Sequence, residues 1–153
     1  MSDNVYLGNP NLKKANTAIQ FSQDNILEFL KCKDDPIYFT RKYIKIVSLD
    51  EGLVPFNMYD FQEKLIRRFH ENRFNICKMP RQTGKSTTSV SYLLHYAVFN
   101  DNVNIGILAN KASTARDLLA RLQTAYENLP RWMQQGILAW NKGSLELENG
   151  SKI

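Results

Sequence analysis

Apolar residues recur at helical spacing in two long stretches of the chain. Val90, Leu93, Leu94, Ala97 and Val98 follow one another at i, i+3, i+4, i+7 and i+8, which predicts a helix over Lys85–Phe99. A second helix is predicted before Pro130, because the following residues share one face: Ala115, Leu118, Leu119, Leu122 and Tyr126.

Three further helices are predicted from their start signals. Ser22 precedes an apolar-periodic stretch and is a favoured N-cap residue. Asp35 followed by Pro36 is typical of a second start, since proline suits the first helical position. Asp60 with Glu63 resembles a capping box. The polar residues 1–20 predict a loosely held arm, so residues 1–58 are expected to form an arm and a small helical subdomain.

Two apolar runs alternate with the two long helices. Residues 73–79 and 103–109 carry short β-type patterns, and the order strand–helix–strand–helix predicts an α/β fold with a parallel sheet. Near the end, Ile137–Trp140 and Ser144–Glu148 predict two short strands, with Glu146 and Glu148 facing solvent.

The last residues predict a hairpin turn and a continuation. Asn149–Gly150 is a strong turn signal, but only three residues follow it. A hairpin that stops so soon is unusual, so the chain is expected to be a C-terminally truncated piece of a longer protein.

Composition is that of an ordinary globular domain. Apolar residues make up 43% and charged residues 23% of the 153 residues. No apolar run approaches the roughly 18–20 residues of a membrane span, and the N-terminus lacks the pattern of a secretory signal. Cys32 and Cys77 form no disulfide or zinc pattern, and His70 and His95 are isolated, so neither pair predicts a metal site.

The net charge of +5 is compatible with a nucleic-acid partner. The basic residues are scattered along the chain, however, and most are expected to be solvated surface. Charge therefore does not decide the function.

The segment Pro80–Thr87 carries the candidate chemistry. A phosphate-binding loop needs a tight turn of backbone amides and a helix whose positive end faces the anion. Gly84 allows close approach of the backbone, Lys85 can reach β- and γ-phosphate oxygens, and the Ser86 hydroxyl can ligate Mg²⁺. These features predict a nucleoside triphosphate site with ATP and Mg²⁺ as ligands.

Two residues of the loop need separate treatment. The full P-loop (Walker A) pattern has a glycine five positions before Gly84, where this chain has Met79. Arg81 could stabilise charge on a transferring phosphoryl group, or it could simply hold the loop or a carboxylate. The residues alone leave both roles open.

Several separated motifs resemble the large terminase subunit of tailed bacteriophages, especially myophages. The resemblance starts near residue 7 and covers most of the chain, and its loop variant has arginine and no leading glycine. It rests on the following segments: Tyr59–Gln62, Pro80–Ser86, Gly106–Lys111, Trp140–Ser144 and Glu148–Ser151.

The resemblance implies a RecA-like P-loop ATPase domain, of which residues 59–153 would be the first part. It places Gln62, with its neighbours Tyr59 and Phe61, at the adenine. Core packing is an equal alternative for Phe61. Lys85 and Arg81 would be catalytic and Ser86 would bind the metal; the full nucleotide-binding set would be Phe61, Gln62, Pro80, Arg81, Gln82, Thr83, Gly84, Lys85, Ser86 and Thr87.

The family is a DNA-packaging motor with ATP hydrolase and endonuclease activity. The resemblance implies double-stranded viral DNA, a portal protein and a small terminase subunit as partners. It also implies a homo-oligomeric ring on the procapsid in the host cytoplasm, without membrane contact. The acidic Walker B strand and the nuclease domain are expected beyond Ile153, so this piece alone is expected to be inactive.

Two alternatives stay open. A superfamily 2 DNA helicase or translocase shares the order of Gln62 before the loop. A nucleotide-binding module without turnover is a different class of protein, and the covered piece is compatible with it.

Overall fold

The computed structural model describes residues 4–48 and 50–153. Within these residues, five helices and three two-stranded antiparallel sheets follow one another. In chain order the elements are β1 (Val5–Tyr6), β2 (Asn9–Lys13), α1 (Gln23–Asp34), α2 (Pro36–Tyr43), β3 (Lys45–Ser48), β4 (Gly52–Pro55), α3 (Asp60–Glu71), α4 (Lys85–Phe99), α5 (Ala112–Glu127), β5 (Ile137–Trp140) and β6 (Leu145–Leu147). The sheets pair β1 with β2, β3 with β4 and β5 with β6.

Side-chain caps fix the first two helices where the sequence predicted them. The Ser22 hydroxyl accepts a hydrogen bond from the Asn25 amide at 3.1 Å. The Asp35 carboxylate accepts from the amides of Ile37 and Tyr38 at 2.8 and 3.0 Å. Both predicted starts are confirmed, because these caps satisfy amides that have no partner inside the helix.

Helix α3 begins in a different way from the one predicted. Its N-cap is Tyr59, and the Gln62 side-chain oxygen accepts from the Tyr59 amide at 2.9 Å. The predicted cap at Asp60 with Glu63 is therefore wrong by one position. Glu63 instead accepts a hydrogen bond from Arg41 Nε at 2.6 Å.

A single apolar core joins the helices to the last hairpin. Phe39 of α2, Leu94 of α4 and Leu122 of α5 are fully buried in it. Leu145 and Leu147 of β6 are also fully buried, which confirms the predicted alternation of that strand. Around this core the helices pack mainly on one another.

The N-terminal segment is packed onto the molecule rather than loosely held. Leu12 is buried, and the amide of Lys13 donates to Gln134 Oε1 at 3.0 Å. The ammonium of Lys13 pairs with Glu148 at 2.8 Å, so Glu148 is half-buried and not the solvent-facing residue predicted. These contacts join residues more than a hundred positions apart in the chain, so no local pattern predicts them. The β3–β4 hairpin was not predicted either.

The predicted parallel sheet is not formed by the described residues. Residues 73–79 contain no strand, and Phe74 and Ile76 are 83% and 100% exposed. Residues 103–109 form only one parallel bridge, Asn104 to Lys152, and Leu108 is 93% exposed. The prediction of a RecA-like P-loop fold is therefore wrong for this structure.

The physical reason is the lack of pairing partners. A strand of a parallel sheet needs hydrogen-bonded neighbours and helices over both faces. Here α4 packs against α2, α3 and α5, so the helices bury their apolar faces on one another. Short apolar runs alone do not separate a strand from an unpaired extended segment.

Among the described residues, the helices are all too short or too polar to cross a membrane.

Candidate phosphate-binding site

The backbone between Met79 and Lys85 forms a tight turn. Gln82 and Gly84 both have positive φ, 62° and 74°, so the chain curls at two points before α4 begins. Gly84 is the N-cap of α4 in the left-handed conformation. The predicted turn ahead of the helix is confirmed, although the strand expected before it is absent.

The Gln62 side chain also lies close to Gly84 on one side. A Cβ atom built at position 84 would lie 2.5 Å from Gln62 Nε2. The positive φ angle favours glycine here, and a side chain would also have to displace the Gln62 amide.

Gln62 connects the start of α3 to the loop. Its side chain is buried, and besides capping Tyr59 through Oε1 it donates from Nε2 to the Thr83 carbonyl at 3.1 Å. Gln62 is only 4% exposed and both of its side-chain polar atoms are already bonded, so its expected contact with adenine stays a prediction. The sequence could indicate the local cap but not the contact with a residue 21 positions away.

Two aromatic residues precede Gln62 in the chain, and their rings are exposed. Tyr59 and Phe61 stack with ring centroids 5.6 Å apart and an interplanar angle of 9°. Tyr59 is 69% and Phe61 42% exposed, so Phe61 is not a core residue. Their faces can pack on a planar ligand.

Lys85 folds back into the loop. Its ammonium donates to the Met79 carbonyl at 3.0 Å and to the Pro80 carbonyl. The Thr83 hydroxyl donates to the same Pro80 oxygen at 3.1 Å. Among the ion pairs of the described residues, none involves Lys85, so its charge is held by neutral carbonyls alone.

The start of α4 adds to the positive field. Its first amides point out of the helix, and Gly84 has no side chain to cap them. Anions are stabilised at such a helix end, here next to the Lys85 ammonium. Thr88, one turn in, is buried with its hydroxyl bound to the Gly84 carbonyl at 3.0 Å, which holds the turn.

Ser86 offers one oxygen ligand at an exposed position. The described residues include no group of three or more His, Cys, Asp and Glu side chains able to hold a metal ion. A Mg²⁺ ion carried by phosphates fits this arrangement, since it keeps several waters and needs few protein ligands.

Arg81 is exposed on the turn. It forms neither an ion pair nor a side-chain hydrogen bond with another described residue, so the alternative in which it holds a carboxylate has no support there. Glu146 and Glu148 pair instead with Lys152 and Lys13.

The structure therefore brings Gln62 to the loop at Thr83, while Phe61 is exposed and stacks on Tyr59. A comparison with models of known protein families finds no match. The functional assignment consequently depends on the sequence and geometry of the loop.

Proposed function

We propose that this chain binds a nucleoside triphosphate with Mg²⁺ at residues 80–87. The observation that carries the proposal is the curled loop, joined through Gly84 to the amide end of α4 with the Lys85 ammonium folded into it. A turn of this kind presents amide hydrogens and a cation to one anion.

Binding would exchange the contacts of Lys85. Its ammonium now satisfies the carbonyls of Met79 and Pro80, and phosphate oxygens would offer it charged acceptors instead. Ser86 would hold the Mg²⁺ ion, which supplies charge neutralisation across the β- and γ-phosphates when bound. Arg81 would reach the γ-phosphate from its exposed position on the turn.

For the larger function, we propose an ATP-hydrolysing motor of a viral terminase large subunit that moves DNA into a procapsid. This part is supported by the sequence resemblance alone. The resemblance also implies DNA, a portal protein and a small terminase subunit as partners, and a ring on the procapsid in the host cytoplasm. For the whole protein it implies endonuclease activity as well.

One observation favours a second candidate, a nucleotide-binding module without turnover. Among the described residues, none of the side-chain hydrogen bonds made by the loop involves a carboxylate that could act as a base to activate water. A superfamily 2 DNA translocase is the third candidate, through the order of Gln62 before the loop.

Nucleotide binding is tested by calorimetric titration with ATP and Mg²⁺. Lys85→Ala should weaken ATP binding tenfold or more, which corresponds to about 1.4 kcal/mol. Lys78→Ala is the matched control, because Lys78 is an exposed lysine close to the loop in sequence and should leave the affinity unchanged. Equal affinity of the Lys85→Ala variant and the wild type would refute the site.

Turnover separates the motor from the binding module. Phosphate release is measured on the longer protein that the resemblance implies, with and without double-stranded DNA, for the wild type and for Arg81→Ala. A motor predicts release that DNA stimulates and that Arg81→Ala lowers with little change in ATP affinity. ATP binding without release would favour the module.

A further inference from the structure

A cavity lies beside the first turns of α4, between that helix, α5 and β3. It has a volume of about 320 Å³, within the range of small-molecule sites. Its walls are formed by residues of three separate elements: Ile44–Val47, Thr87, Val90, Ser91, Arg121, Thr124 and Ala125.

The floor of the cavity is apolar. Ile44, Val90 and Ala125 line it and are themselves buried in the core, so the floor is part of the rigid packing of the molecule. An apolar group placed there would leave water for a preformed surface, which favours binding.

The polar groups of the cavity suit an anion. Lys45 and Arg121 stand at exposed positions of the lining, and neither forms an ion pair with a described residue. The hydroxyls of Ser91 and Thr124 already donate to backbone carbonyls, at 2.8 and 3.1 Å, so recognition of an anion is left to the two cations. Among the described residues that line the cavity, none carries a carboxyl group.

We propose that this cavity is a binding site for a small amphipathic anion, with its apolar body on Val90 and Ala125 and its carboxylate at Arg121 and Lys45. Two cations without a paired carboxylate select against a positively charged ligand and favour a negatively charged one. The site does not depend on the proposed function of the phosphate loop, although Thr87 lines the cavity and also belongs to residues 80–87.

The first experiment uses octanoate as the probe, with octanol and octylamine as uncharged and positively charged analogues of the same length. Amide NMR signals of the isotope-labelled chain are followed during titration. The site predicts saturable shifts at Val90, Ser91 and Ala125, with octanoate binding tightest and octylamine weakest. Equal affinities for the three probes, or octanoate shifts confined to other parts of the chain, would overturn the proposal.

Variants then test the two halves of the site. Arg121→Gln should weaken octanoate about threefold to fivefold, the effect of one exposed charge. Arg116→Gln, on the same helix but outside the cavity lining, should have no effect. Thr124→Trp should fill the cavity and abolish the shifts.

Two outcomes keep this site separate from the loop. Lys85→Ala should leave octanoate affinity unchanged even where it removes ATP binding, because Lys85 does not line the cavity. If Arg121→Gln and Arg116→Gln weaken octanoate equally, the interaction is general surface attraction and the proposed site is wrong.

Discussion

Gly84 combines two constraints that have different physical origins. Its φ of 74° lies in the left-handed region, which costs a residue with a side chain about 1–2 kcal/mol. Separately, a Cβ atom there would meet Gln62 Nε2 at 2.5 Å. The first constraint belongs to the backbone of the loop, and the second belongs to its link with α3.

A double-mutant cycle separates these two constraints. Gly84→Ala should lower the free energy of unfolding by more than the 1–2 kcal/mol of the left-handed region, because the Gln62 amide must also move. In a Gln62→Ala background the same change should cost only the backbone part. Urea denaturation of the four proteins measures this difference. Strict additivity would mean that Gln62 yields without cost.

His95 places an ionisable ring inside the core. Its Nε2 lies 2.9 Å from the Cys32 carbonyl, and its buried Nδ1 has no partner among the described residues. Phe39 and Phe99 pack on it with ring centroids 5.4 and 4.9 Å away. Burial, which disfavours the charged ring, lowers the pKa of His95 from 6.5 to about 4.

This lowered pKa predicts a loss of stability in mild acid. Between pH 6.5 and about 4 the unfolded chain takes up the His95 proton and the folded chain does not, so acid favours unfolding. The stability is complete above pH 6.5 and falls as pH drops towards 4, by at most about 3 kcal/mol. A glutamine at position 95 can still donate to the Cys32 carbonyl but does not titrate. The free energy of unfolding of His95→Gln should therefore fall less over this pH range. Parallel urea midpoints for both proteins from pH 7 to 4 would contradict the assignment.

At the scale of elements, the N-terminal segment and the last hairpin make a close contact at Gly136. Its carbonyl accepts from the Glu148 amide at 2.7 Å. A Cβ atom on Gly136 would lie 2.5 Å from the Ala15 backbone and 2.4 Å from a Glu148 carboxylate oxygen. The N-terminal segment can pack here only because this position has no side chain.

Gly136→Ala should therefore destabilise the molecule by about 1–3 kcal/mol, since a methyl group overfills the junction. Gly143→Ala is the matched control: the nearest atom to its Cβ would be Asn141 Oδ1 at 3.6 Å, an ordinary contact. Urea unfolding followed by tryptophan fluorescence measures both. Equal loss in the two variants would show that the junction around Gly136 adapts freely.

The elements also show which features a sequence can predict. Ser22 and Asp35 cap helices through residues two or three positions away, and α4 follows its own apolar periodicity, so local patterns sufficed. The turn before Lys85 was predictable for the same reason. The contacts of Lys13 with Gln134 and Glu148, and the bond from Gln62 to Thr83, join distant parts of the chain, and no local pattern encodes them.

At the scale of the whole molecule, the backbone amides and carbonyls of residues 73–79 need hydrogen-bond partners. A buried strand must pair its amides, whereas an exposed extended segment can leave them to water. Phe74 and Ile76 face solvent, and none of the paired strands includes this segment. Helix α4, directly after the loop, is by contrast bonded along its length and buried on one side.

Amide hydrogen exchange distinguishes these two states across the molecule. The amides of residues 74–78 should exchange at rates close to those of an unfolded chain, because exchange there needs no opening of the core. Those of Leu94 and Val98 in α4 should exchange only through global unfolding, which makes them the internal reference. Slow exchange at Ile76 would mean that this segment is paired as a strand in solution, which would contradict its unpaired and exposed state in the structure.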